Sequence, residues 1–156
     1  MDRPFKAAGR GFRVKLGENE RAVIRGLARQ HRELLIAENP SSDPAVARLF
    51  PAAYPDDPLQ SLEFEQTTGA GLLDGRLQAI DTLEATADET KLTEQQLLQW
   101  LAVVNDLRLV LGIRLEVTEE STEDDFAGDE DRAGAFELYR FLTWLESEMI
   151  EVLPVG

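Results

Sequence analysis

The chain has 156 residues, no cysteine, a single histidine, an apolar fraction of 43% and a net charge of −14. That is the composition of one ordinary globular domain, long enough to bury about two-thirds of its unfolded surface without a disulfide or metal staple. It excludes thiol nucleophiles, cysteine-based zinc sites and disulfide-linked assembly, and no unbroken apolar run suggests a membrane span.

The charge is uneven: residues 1–32 carry nine Lys or Arg against three Asp or Glu, a net of +6, so the other 124 residues carry −20. A basic N-terminal segment on an acidic body implies either a docking face for an acidic partner or internal neutralisation. The N-terminus lacks the apolar stretch of a secretory leader, so the sequence alone reads as cytoplasmic.

Residues 4–17 predict a hairpin, because Phe12, Val14 and Leu16 alternate with Arg13 and Lys15 after the turn signal Gly9-Arg10-Gly11. A helix follows over 18–38. Its apolar stripe is Val23, Ile24, Leu27, His31, Leu34 and Leu35, while Arg21, Arg25, Arg29 and Arg32 project together on the far side. Those four arginines are the partner-binding candidates, since guanidinium groups on one helix face suit phosphate or carboxylate recognition; a solvated face is the alternative. His31 reads as a hydrogen-bonded core histidine, because no serine or cysteine nucleophile signature accompanies it.

Five prolines between Pro40 and Pro58 make 39–58 a connector containing at most one short helix, and two helices are expected over 59–86, interrupted by Gly69 and Gly71. Those glycines lack the spacing and flanking residues of a phosphate loop. A central helix is expected over 93–112, opened by the capping box Thr93 to Gln96 and closed by Gly112. It is apolar almost all round, the mark of a buried helix. The projection puts Arg108 and Asn105 inside its apolar arc and Asp106 on the polar side.

A buried guanidinium needs a partner, so Arg108 should meet a carboxylate, Glu63 first and Glu137 second, or else form an anionic-ligand pocket with Asn105. Ile113, Leu115 and Val117 alternate with Arg114 and Glu116, predicting a strand over 113–118 that would complete a three-stranded antiparallel sheet. Arg114 joins Asn105, Arg108 and Glu63 as a core-polar or ligand candidate. Residues 119–130 form an acidic loop, for Glu119 to Asp131 holds eight carboxylates out of register with a calcium loop. A final helix is expected over 131–152.

The expected architecture is mainly α (α+β): a single-domain helical bundle, residues 1–156, around a buried central helix, with a small antiparallel sheet. No catalytic triad, metal set or cofactor motif emerges, which leaves a non-enzymatic binding module or a sensor of small anions.

The run Asn105-Asp106-Leu107-Arg108-Leu109-Val110-Leu111-Gly112, with Arg114 and Leu115, resembles an actinobacterial family first catalogued as a domain of unknown function. Its members are often described as oxidative-stress transcriptional regulators of the AosR type. Arg48 to Pro51, Ala53, Tyr54, Glu63 and Phe64 look like further parts of the family pattern. The resemblance implies a cytoplasmic regulator without cofactor, working with DNA or with an RNA polymerase sigma factor. The cysteine pair to which redox switching is attributed in some family members has no counterpart here, so a homodimer of this chain would not be disulfide-linked.

Overall fold

The computed structural model describes residues 3–36, 70–117, 121, 123–126 and 128–154. The elements run β1 (Phe5–Ala8), β2 (Gly11–Val14), α1 (Glu18–Leu35), α2 (Ala70–Thr86), β3 (Lys91–Leu92), α3 (Glu94–Leu115) and α4 (Glu130–Val152), with a 3-10 turn at Glu123–Phe126. The architecture is mainly α with a small antiparallel sheet, as expected. The expected connector 39–58, the helix from residue 59 and Glu63 lie outside the described residues.

β1 and β2 form the hairpin, with Phe5 opposite Val14 and Ala8 opposite Gly11. Gly9, at φ 62°, lets the chain reverse within two residues at little cost. Phe5, Phe12, Val14 and Leu16 turn inward, where the Phe5 ring meets Trp100 edge to face at 6.3 Å.

The third strand differs from the expectation. It is Lys91–Leu92, just before α3, with Leu92 opposite Phe12 and the Val14 N–H donating to the Thr90 carbonyl at 2.8 Å. Residues 113–115 continue α3 instead of forming a strand, and the left-handed C-cap is Glu116, at φ 55°, rather than Gly112. Gly112 serves another purpose, because a Cβ there would lie 3.0 Å from the Tyr139 ring. Its missing side chain lets α4 approach.

α3 is the centre of the fold. Thr93 caps it as the sequence predicts: the Gln96 N–H donates to Thr93 Oγ1 at 3.1 Å and the Thr93 N–H to Gln96 Oε1 at 2.9 Å. Leu97, Trp100, Val103, Val104, Leu107 and Val110 are buried against Ile24, Ala28 and Leu35 of α1, Ile80 and Leu83 of α2, and Leu142, Leu145 and Met149 of α4. By length and apolarity α3 could cross a membrane (mean hydropathy 1.2), but here it packs against helices and sheet.

The opposite face of α3 is open, which corrects the expectation of a helix buried all round. Leu98 is 46% exposed and Leu109 41%. A second apolar cluster joins Leu115, Phe126 and Phe136, so Phe126 anchors the acidic segment to the base of α4. Asp129 caps α4 by accepting from the Arg132 N–H at 3.2 Å.

Candidate interaction surface

Three of the four α1 arginines are engaged inside the chain. Arg21 is buried, and its guanidinium donates to the carbonyls of Leu16 (3.1 Å), Val14 (3.3 Å), Ala87 (2.7 Å) and Glu89 (2.9 Å). It ties α1 to the hairpin and to the turn after α2. Arg25 donates to both carboxylate oxygens of Asp88, at 2.8 and 2.7 Å, and Arg32 pairs with Asp81 at 2.5 Å and Glu84 at 3.2 Å. Arg29 is exposed and, among the described residues, has no ion pair. Much of the basic N-terminal charge is thus met by α2 and the turn behind it.

The positions of Asp106 and Arg108 reverse the helical projection. Asp106 is only 6% exposed and accepts from Arg76 Nη1 of α2 at 2.5 Å, with Nε2 of the fully buried His31 at 3.8 Å. The core carboxylate is therefore Asp106, and α2 supplies its cation. His31 is buried in the core, as expected, but the hydrogen bond expected of it is not found: among the described residues neither ring nitrogen has a partner.

Arg108 is half-buried on the side of α4, where its Nε donates to Thr143 Oγ1 at 2.8 Å and its guanidinium lies 5.1 Å from the centre of the Tyr139 ring. Glu137, the second expected partner, is exposed and lines a different groove, with Val23, Leu138 and Phe141.

Around Arg108 the helices α3 and α4 part into an open groove of about 420 Å³, lined by Val117, Ser121, Phe136, Tyr139, Arg140, Thr143 and Trp144 as well. Its lining carries two guanidinium groups, three hydroxyls and aromatic walls, a set that fits a carboxylate beside an apolar side chain. Asn105 lies outside it, in a neighbouring groove of about 300 Å³ with Leu98, Leu101, Ala102, Glu146 and Ile150. Arg114 edges a third, smaller cleft of about 80 Å³ that also touches His31. The three candidates of α3 are thus distributed over three sites. Tyr139, Arg140 and Trp144 were not legible as site residues, though Tyr139 and Thr143, four apart on α4, share one face. Among the described residues, no group of three or more His, Asp or Glu side chains could hold a metal ion.

Residues 2–153 match the family model described as a domain of unknown function, DUF2017. The chain belongs to that family. It is 28% identical to the oxidative stress regulator AosR of Mycobacterium tuberculosis and of Mycobacterium bovis, across 93% of this chain and 83% of theirs. It is 33% identical to the putative oxidative stress regulator AosR of Mycobacterium leprae, across 71% of this chain and 58% of that protein. No solved structure matches the chain. The family assignment agrees with the resemblance carried by the Asn105 to Gly112 run, and the relatives' names point to a regulatory role.

Proposed function

We propose that this DUF2017 chain is a non-enzymatic, cytoplasmic regulator of transcription that acts by docking a protein partner, an RNA polymerase sigma factor being the first candidate, rather than by gripping DNA. Likeness to named oxidative stress regulators over nearly the whole chain carries the regulatory part. The choice of a protein over DNA is supported by the engagement of Arg21, Arg25 and Arg32 within the chain. An acidic body with its helix-face cations already paired has little left to neutralise phosphates. The docking element is the groove at Arg108 and Arg140, and the segment it takes is acidic with an aromatic or branched apolar neighbour.

Binding of purified sigma factors tests this reading. Arg108→Glu should abolish capture while leaving the circular dichroism spectrum unchanged, and promoter DNA should not be retained at physiological salt. Retention of DNA with a steep salt dependence, undisturbed by Arg108→Glu, would refute it. A small-anion sensor at the same groove is the second reading, favoured by the two guanidinium groups, of Arg108 and Arg140, that line one open groove. A thermal shift on adding carboxylate or phosphate metabolites, lost in Arg108→Ala, would select it, since a ligand at 100 times its Kd stabilises by about 2.7 kcal/mol.

A further inference from the structure

The open face of α3 carries Leu98, Ala102, Asn105 and Leu109, one stripe along the helix between α2 and α4. Leu98 and Leu109 are more than two-fifths exposed, Ala102 is exposed and Asn105 is half-buried. On α4, Ile150 is 55% exposed beside the same stripe. Water against so much branched apolar side chain on one helix is unfavourable, and its spacing indicates what covers it.

From Leu98 the intervals are four, three and four residues, the same read in either direction. Two antiparallel copies related by a two-fold axis between Ala102 and Asn105 would bring Leu98 of each against Leu109 of the other. Ala102 of each would meet the other's Asn105. A two-fold interface must be self-complementary in this way, and the small Ala102 side chain leaves room for the opposing amide. The ends agree as well, because the same register places exposed Lys91, just before α3, near exposed Glu116 at the far end of the second copy's helix.

A polar feature of the stripe fits the same occupant. Asn105 is the one asparagine of α3, and a single asparagine within an apolar helix seam is a known way to fix register.

We propose that the stripe Leu98, Ala102, Asn105 and Leu109 is the interface of a non-covalent, antiparallel homodimer of this chain. This goes beyond the partner-docking reading, which uses the Arg108 groove. The pairing needs no thiol, as a chain without cysteine requires.

Light scattering behind size exclusion should give twice the 17.4 kDa chain mass for the wild type and the single mass for Ala102→Glu, with unchanged circular dichroism. Because the chain has no cysteine, register can be read by cross-linking. Leu98→Cys chains mixed with Leu109→Cys chains should form a disulfide-linked pair on oxidation, while Leu98→Cys alone should not. A monomeric wild type, a dimer that survives Ala102→Glu, or efficient Leu98→Cys self-linking would each overturn the proposal. Partner capture measured on the monomeric variant keeps the two readings separate: retained capture with lost dimer is expected, and a monomeric wild type whose Ala102→Glu variant loses capture would assign the face to the regulatory partner instead.

Discussion

Replacing Asp106 with alanine should damage this protein far more than replacing Arg108, although the two are neighbours on one helix and only Arg108 looks buried in projection. Asp106 is 6% exposed and holds the Arg76 guanidinium, whose side chain is 24% exposed, with His31 at its other edge. Breaking a buried pair typically costs 3–5 kcal/mol, and since Arg76 can turn partly to water the lower end applies, about 3 kcal/mol. With a urea slope of about 2 kcal/mol per molar for a domain of this size, the midpoint should fall by about 1.5 M. Arg108→Ala forfeits one charge-assisted hydrogen bond to Thr143 and a stack on Tyr139, but the site is half-open and water screens both, so the loss is about 1 kcal/mol in all. Its midpoint should fall by about 0.5 M. The Asp106→Ala, Arg76→Ala double-mutant cycle should show coupling above about 1 kcal/mol. Additive losses, or an Arg108→Ala loss exceeding that of Asp106→Ala, would refute the assignment of Asp106 as the core carboxylate.

Arg21→Ala should cost at least about 3 kcal/mol, because four carbonyls lose a charged donor, while Arg29→Ala should stay within about 0.5 kcal/mol; urea melts of both variants check the contrast. Thr86→Val should cost about 1–3 kcal/mol, since the buried Trp100 indole N–H, now 2.7 Å from Thr86 Oγ1, is left without an acceptor; thermal melts followed by tryptophan fluorescence report it. Gly11→Ala should strain the β2–β3 pairing, for a Cβ there lies 2.6 Å from the Leu92 carbonyl oxygen; faster amide exchange at Val14 than in the wild type would show it, and unchanged exchange would contradict the register.

Local chemistry that acts within a few residues was legible in the sequence. The alternation from Phe12 to Leu16 and the Gly9 turn specify the hairpin, and Thr93 with Gln96 specifies the start of α3. The end of α2 and both ends of α4 lie within two residues of the expectation, whereas Gly71, expected to interrupt, lies inside α2. The rotation of α3 was not legible, because a helix apolar nearly all round has no preferred direction of its own. It is set by where α1, α2, α4 and the sheet sit, and they cover the Trp100 and Leu107 side, which draws Asp106 in and leaves Leu98 and Leu109 out. Gly112 does not end α3, for the helix runs on to Leu115 and Glu116 takes the left-handed cap, while the Tyr139 ring occupies the space a side chain at position 112 would need. A two-residue strand at Lys91–Leu92 is too short to carry a period, and only Phe12 and Arg13 across from it define it. Arg21 shares a helix face with Arg25, Arg29 and Arg32, and nothing local separates them; the carbonyls of Ala87 and Glu89, 66 and 68 residues away, make the first a clamp and leave Arg29 in water. Periodicity and caps are local energies and are written in the chain, whereas the burial of a particular charge is a property of the neighbours that only the tertiary structure brings to it.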